Sequence, residues 1–351
     1  MNETCARRGR LLVWLAVTAL IAVSCGGSDS SGPEVASSTE SESASSSEIE
    51  PTSDATTTST EAPSTSTTAA ETSTTAPEPV EQPNAERILT DGHSTLDAAL
   101  ALELPVAGTL GYSDRASVPD YLPDSAASVE EVGNRGDINF EVIAAFAPDA
   151  IVANAFSLDS IGLREPAEEL ARVVAVETST FVPWQTALRQ LGEGFGVPQR
   201  AEDRIAEAEA LFAELRESLT DAQRALEVSV IRCAFGQCRY LPGGSSFPGM
   251  VLDDVGIARP EIQRSDPEGR PFVEVSFEQI DLLTGDVIVL FGTDAESELE
   301  QLQGSALWDL IPAVQNDLVF TVDGDAWFSG NVLAAEYVAR DIAEILASVP
   351  G

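Results

Sequence analysis

The sequence predicts an α/β protein of two Rossmann-like lobes with mostly parallel sheets, joined by one long α-helix and separated by a cleft. Three observations carry this. Short apolar strands and amphipathic helices alternate from Glu86 to the end of the chain. The stretch NFEVIAAFAPDAIVA from Asn139 matches SFEQIDLLTGDVIVL from Ser276 without a gap, at Phe140/Phe277, Glu141/Glu278, Ile143/Ile280, Asp149/Asp286, Ile151/Ile288 and Val152/Val289. Between the two copies lies a charged, helix-patterned segment longer than an ordinary crossover.

Residues 1–24 read as a secretory signal. Arg7, Arg8 and Arg10 precede LLVWLAVTALIAV, an apolar run too short to persist comfortably as a membrane span. The run ends in AVSC, which resembles the bacterial lipobox, so Cys25 is the expected lipidation site. Several acyl chains at ~0.8 kcal/mol per buried CH₂ anchor a protein stably where one is marginal. Residues 25–85 form the expected tether. Gly26–Ala85 is rich in Ser, Thr, Glu, Pro and Ala, with eleven acids and no basic or aromatic residue. Such a segment cannot bury enough apolar surface to offset its ordering entropy, so disorder is expected. As flexible coil it would span roughly 40 Å.

The expected N-terminal lobe is 86–197. RILT reads as a strand, STLDAALALEL as a helix, PVAGTL as a strand and NFEVIAAFA as a helix with Asn139 at its cap. DAIVANA, DSIGLREPAEELAR, VVAVET and WQTALRQLGEGFG continue as strand, helix, strand, helix. Residues 198–226 are expected to form the connecting helix. Pro198 suits its start, and Ile205, Ala208, Leu211, Phe212 and Leu215 fall at helical spacing. The expected C-terminal lobe is 227–351. EVSVIRCAF is a strand and CRYLPGG the return arm of a hairpin; SSFPGMVLDDVG is a helix and FVEV a short strand. SFEQIDLL and DVIVLFG repeat the helix-strand unit, and SGNVLAAEYVARDIAEILASV closes the chain as an amphipathic helix.

The formal charge of −39 excludes nucleic acid as a partner, because a polyanion needs the opposite field. The chain has no Lys, which fits either a saline habitat or an acidic genomic bias. With Cys5 in the signal and Cys25 lipidated, Cys233 and Cys238 remain. Outside the cytosol they form either a disulfide or two buried thiols; with one His in the chain, a zinc site is not expected.

In open α/β sheets ligands bind beyond the carboxyl ends of strands, which here means the cleft between the lobes. The loops there hold His93, Tyr112, Arg115, Arg135, Phe156 and Trp184 in the first lobe. The second offers Arg239, Tyr240, Arg270, Phe272, Trp327 and Phe328. No GxGxxG follows the first strand, and the chain contains no GKS or GKT phosphate loop and no GxSxG elbow. That weighs against an α/β enzyme. A surface adhesin would suit the tether but leaves the repeated unit unexplained.

VGNRGDINFEVIAAFAPDAIVA, the helix after Pro198, VSFEQIDLLTGDVIVL and ALWDLIPAVQNDLVFTVDGDAWF occur in an order and spacing that resembles the substrate-binding lipoproteins of ABC importers for ferric siderophores, haem and cobalamin. The resemblance covers 86–349 and implies an extracytoplasmic, membrane-anchored binding protein, not an enzyme. It would have no cofactor of its own and would deliver a ferric siderophore, or alternatively cobalamin or haem, to an ABC permease dimer. It implies that Glu141 and Glu278 dock one on each half of the two-fold permease, a duplication that symmetry requires of a one-chain partner. It implies Arg135 as the contact to iron-bound oxygens, since a planar guanidinium reaches two anionic oxygens at once. Trp327 and Phe156 stand at family aromatic positions on the cleft wall; Tyr240 and Arg270 complete the expected ligand set. Plainer readings stand beside these. A first-turn Glu is favoured by the helix dipole whatever it docks with, and Arg135 has Asp137 and Glu141 near it in sequence. Trp327 fits the core as well as the wall, and a lone loop His93 usually has no special role. One connecting helix implies small closure on ligand.

Overall fold

The computed structural model describes residues 81–349 apart from 114, 161, 179–181, 235–236, 277–278, 293–299, 301 and 329. Cys25, the signal and residues 26–80 of the tether lie outside the described residues, as do Phe277 and Glu278 of the second repeat.

The first sheet has β1 (Ile88–Thr90), β2 (Val106–Gly111), β3 (Glu130–Asn134), β4 (Ala150–Asn154) and β5 (Arg172–Val176), in the order β3-β2-β1-β4-β5. Every pairing is parallel. β1 and β4 are buried along their length, as central strands covered on both faces must be. Helices α1 (His93–Ala101), α2 (Phe140–Phe146), α3 (Ala155–Ser160), α4 (Arg164–Leu170) and α5 (Trp184–Phe195) cover this sheet. Asn139 caps α2 by accepting from the backbone N–H of Glu141 at 2.9 Å and Val142 at 3.3 Å. The single helix expected over DSIGLREPAEELAR is instead α3 and α4. Gly162, in the left-handed region at φ 67°, stands between them.

The second sheet has β6 (Val228–Ala234), β7 (Gln237–Tyr240), β8 (Val273–Val275), β9 (Val287–Gly292) and β10 (Val319–Thr321), in the order β10-β9-β6-β7-β8. β10, β9 and β6 run parallel, while β7 and β8 are antiparallel additions. Parallelism therefore holds throughout the first sheet and only along half of the second. Cys233 on β6 and Cys238 on β7 are opposite in register and joined by a disulfide, Cα–Cα 4.1 Å.

The repeated Asp explains itself in this frame. Asp149 accepts from the backbone N–H groups of Glu86 at 2.7 Å and Arg87 at 3.1 Å, just before β1, and returns its own N–H to the Arg87 carbonyl at 3.0 Å. Asp286 accepts from Glu227 N–H at 2.9 Å, just before β6, and donates back to the Glu227 carbonyl at 2.8 Å. Each copy thus staples the start of its lobe's central strand. The helical part of the second copy is tighter than expected. Described backbone bonds from Gln279 to Ser276, Leu282 to Gln279 and Leu283 to Ile280 all span three residues, the 3₁₀ spacing, around Ile280–Leu282.

The connecting helix α6 (Pro198–Ser218) buries Ala201, Ile205, Ala208 and Phe212 on one face. It stops short of the expected end at 226. Thr220 accepts from Gln223 N–H at 3.2 Å while the Gln223 side chain accepts from Thr220 N–H at 3.0 Å, a capping box that starts the separate helix α7 (Asp221–Ala225). The rest of the second lobe adds α8 (Phe247–Val255), α9 (Pro312–Gln315), α10 (Gly324–Phe328) and the closing helix α11 (Val332–Ser348).

The lobes share one core, in which Trp184, Leu188 and Leu191 of α5 join Phe212 of α6, Leu252 of α8 and Ala335 and Val338 of α11. They also share a buried polar joint. Asp97, on α1 of the first lobe, accepts from the backbone N–H groups of Asn331, Leu333 and Ala334 at 2.9 Å each. It thereby caps the last helix of the second lobe. Tyr121 donates to the same carboxylate at 3.3 Å. Burial outweighs these bonds and pushes the Asp97 carboxyl up to about 6. No helix among the described residues is long and apolar enough to cross a membrane.

Candidate functional site

The carboxyl ends of the two sheets face each other. Arg115, in the loop after β2, donates across the gap to Asp325 in the first turn of α10 at 3.1 Å. Around this link each lobe presents arginine and aromatic side chains.

On the first lobe, β1 runs into Asp91 and Gly92. Asp91 accepts from the Thr95 hydroxyl at 2.8 Å and from Asn154 N–H at 3.0 Å. Gly92 has φ 150°, and a Cβ there would lie 2.6 Å from the Tyr112 hydroxyl, so the backbone passes close under that ring. Arg135 follows β3. Its guanidinium donates to the Ser157 hydroxyl at 2.6 Å and the Tyr112 hydroxyl at 3.3 Å, with Asp91 3.6 Å away. Burial opposes the charge, but Asp91 and Tyr112 more than offset it, and the Arg135 pKa is raised above its ordinary value. Its carboxylate partner is Asp91, not Asp137 or Glu141. The side chain stays 31% exposed and lines a pocket of the first lobe with Asp91, Ile138, Phe140 and Ser157. Phe156, on the same helix α3 as Ser157, is 76% exposed.

On the second lobe, Arg232 of β6 stacks over Phe328 at 3.8 Å and Arg239 of β7 over Phe272 at 4.7 Å. With Leu241 and Pro271 these four side chains line a small pocket. Arg239 also donates to Gln237 at 3.0 Å and lies 3.4 Å from Glu274. Burial lowers the Arg232 pKa to about 10, and the neighbouring charges of Arg239 and Arg115 push the same way. The positive groups of the two lobes therefore feel one another.

Several expected residues lie elsewhere. Trp327 is fully buried, and its indole N–H donates to Asp341 at 2.8 Å, so it braces α10 against α11. Its neighbour Phe328 is the one that reaches the pocket, because consecutive helical residues point about 100° apart. Tyr240 is 6% exposed and packs among Ile231, Cys233 and Val275. Arg270 is bound to Asp266 at 2.7 Å and Glu268 at 3.4 Å within its own exposed loop. Trp184 lies in the shared core, edge-on to Phe212. His93 is buried against Tyr112, with Nε2 2.8 Å from the Ala116 carbonyl; burial lowers its pKa. Glu141 is exposed beside Val142 in the first turn of α2. Glu278 lies outside the described residues.

Sequence reasoning missed Arg232, Asp91 and Asp325. Arg232 carried a usable signal. A guanidinium inside the apolar strand VSVIRCA needs a reason to be there, since a buried charge is costly unless it is compensated.

The family profile described as periplasmic binding protein matches residues 88–326. The chain is 28% identical over 270 residues to a probable siderophore-binding lipoprotein of Bacillus subtilis (strain 168), covering 74% of this chain and 82% of that protein. It is 26% identical over 279 residues to the achromobactin-binding periplasmic protein of Dickeya dadantii (strain 3937), covering 76% and 88%. Among solved structures, Staphylococcus aureus SirA complexed with staphyloferrin B superposes with a TM-score of 0.63 at 20% identity, covering 76% of this chain and 95% of that one. The siderophore-binding protein FhuD from Vibrio cholerae, bound to Fe3+-Desferal, gives 0.60 at 22%, covering 76% and 100%. These two show a shared two-lobed fold.

Proposed function

The chain belongs to the periplasmic binding protein family, and from that premise we propose that it captures a ferric siderophore in the interlobe cleft and hands it to an ABC permease. It is a binding protein rather than an enzyme. The observation that carries the ligand reading is the set of arginines at the carboxyl ends of both sheets in a chain of charge −39. Surface acids beyond ~8–10 Å are screened, so the cleft arginines set the field that an anionic chelate meets. The named functions of the relatives, binding siderophores and achromobactin, point the same way.

In this reading the lobes are residues 86–197 and 227–351, joined by 198–226. Arg135 meets the iron-bound oxygens and exposed Phe156 covers the chelate, while Phe328 and Phe272 take the wall role expected of Trp327. Glu141 docks the first lobe on the permease and Glu278 the second. Lipid on Cys25 and the segment 25–85 hold the protein near that permease outside the cytoplasm. Haem is the weaker ligand, because His93 is buried and its Nε2 is already engaged by a backbone carbonyl.

The test is a titration of the full chain with ferric hydroxamates, ferric catecholates, ferric citrate, cobalamin and haem, followed by tryptophan fluorescence. Saturable 1:1 binding of a ferric chelate without its chemical conversion is expected. Binding of cobalamin or haem alone, or conversion of a bound chelate, would overturn the proposal.

A further inference from the structure

A narrow chamber lies inside the first lobe, between its sheet and the helices of one face. Leu89, Leu110 and Ile151 form its floor, and Ile143, Leu158 and Ala167 its roof. The helices are too short to seal this face. The crossover from β4 to β5 is two short helices, α3 and α4, broken at Gly162, and α2 has only 7 residues. Nearer the amino edge the same face is tightly packed: a Cβ on Gly108 would lie 2.5 Å from Val132 and 2.6 Å from Phe146. The space therefore remains toward the carboxyl edge, where Asp91 follows β1, Arg135 follows β3 and Ser157 follows β4. Its volume is about 40 Å³, room for about three water-sized groups. A buried water needs about two to four polar partners. The polar groups at the mouth are already engaged: Arg135 donates to Ser157 and Tyr112, and Asp91 accepts from the Thr95 hydroxyl and the Asn154 N–H. An apolar group is thus a better occupant than water.

We infer that this chamber is a subsite for one short aliphatic arm of the ferric chelate, which enters past Arg135 while the rest of the ligand stays outside. This rests on the ferric-chelate reading above and deepens it by naming a chemical part of the ligand. The lining and the volume commit the site to that occupant. Floor and roof are aliphatic, so they offer an arm dispersion contacts and no hydrogen bonds. At about 40 Å³ the space is well below the ~150 Å³ of an engineered cavity that takes benzene, so a chain fits and a ring does not. The entrance is shared with the ligand contact already assigned. Arg135 presents its guanidinium to the chelate and its alkyl stem to the chamber, which gives an attached arm an apolar path inward. Each methylene that exchanges water for this lining tightens binding about fourfold, until the chamber is full. A chelate with no such arm forgoes that gain.

The test uses the full chain with four neutral ferric chelates that differ only in one arm: ferrioxamine B acylated on its free amine with an acetyl, butanoyl, hexanoyl or octanoyl group. Calorimetry is expected to show affinity rising about fourfold per methylene from acetyl to butanoyl and levelling off by octanoyl. Ala167→Leu puts a larger side chain into the roof. It should flatten the series to the acetyl value while leaving Tm unchanged or higher, because it fills empty space. If that variant fails to fold, Ala153→Val on the floor serves the same purpose. An arm lying on exposed Phe156 instead would keep its chain-length gain in both variants, and that result overturns the assignment. Xenon, followed by NMR, reads the chamber without any chelate. The wild-type protein should give a saturable xenon shift that Ala167→Leu loses; equal signals would mean a closed packing void only and overturn the inference. Tight binding with a flat series would also overturn it and leave the importer reading standing. If the protein takes xenon but none of the four chelates, the hydroxamate form of that reading falls, and the inference falls with it.

Discussion

Replacing Arg135 with Ala should weaken chelate binding by about one to two orders of magnitude and cost about 2 kcal/mol of stability. The two effects have separate origins. Inside the first lobe the guanidinium bonds Ser157 and Tyr112 and lies 3.6 Å from Asp91. A hydrogen bond involving a charged group contributes ~1.5–3 kcal/mol, less where solvent reaches it, and this side chain is 31% exposed. Asp91 would keep the Thr95 hydroxyl and Asn154 N–H, which limits the damage. The ligand effect comes from the exposed part of the fork. Losing one charge-assisted contact to an iron-bound oxygen costs ~1.5–3 kcal/mol, which is roughly 10- to 150-fold in Kd. Arg135→Lys should recover only part of this, because an ammonium cannot bridge two oxygens. Fluorescence titration well below Tm separates the two effects. Ser157→Ala, which loosens the guanidinium without removing it, should fall between wild type and Arg135→Ala. A folded Arg135→Ala protein with wild-type affinity for its ferric chelate would show that Arg135 serves the lobe and not the ligand.

Three further outcomes are expected. Glu141→Ala combined with Glu278→Ala should leave chelate affinity unchanged and abolish uptake by cells; normal uptake would sink the docking role. Because burial raises Asp97 from 3.8 to about 6, the folded state holds this proton more tightly than the unfolded chain. Asp97 therefore stabilises most below pH ~4, and its contribution is lost as pH rises through 6, by on the order of 3 kcal/mol. Thermal unfolding of Asp97→Asn should lack that part of the pH dependence, and a profile parallel to wild type between pH 4 and 7 would refute it. Alkylation without reductant should leave Cys233 and Cys238 unmodified by mass, whereas two added groups on them would disprove the bridge.

Much of the architecture was readable because its causes are local. Period-two and period-3.6 patterning located β1, β2, β4, β5 and the closing helix, and Asn139 marked the start of α2. What escaped depended on partners distant in the chain. β3 is an edge strand with only Val132 buried, so EEVGN carries no strand pattern. The Thr220–Gln223 box was present in the sequence but lay within a continuous helical pattern that read through it. For the site, loop position after a strand found Arg115, Arg135, Arg239, Phe272 and Phe328. It could not separate Phe328 from Trp327, one residue apart, because the packing of α10 on α11 decides which faces the cleft. Arg232 was hidden inside a strand, and Asp91 and Asp325 acquire meaning only from the arginines they meet.

The carboxylate of Asp97 gives the molecule a second fastening. A body hinged on α6 alone could twist about that rod, but one whose final helix is also riveted at its tip to the opposite half is left with little more than a shallow rocking motion. Under the proposed docking role, a permease would then have to distinguish loaded from empty by small shifts of side chains and rim loops rather than by a large change in the separation of the lobes. A carrier of this kind is read by touch more than by shape.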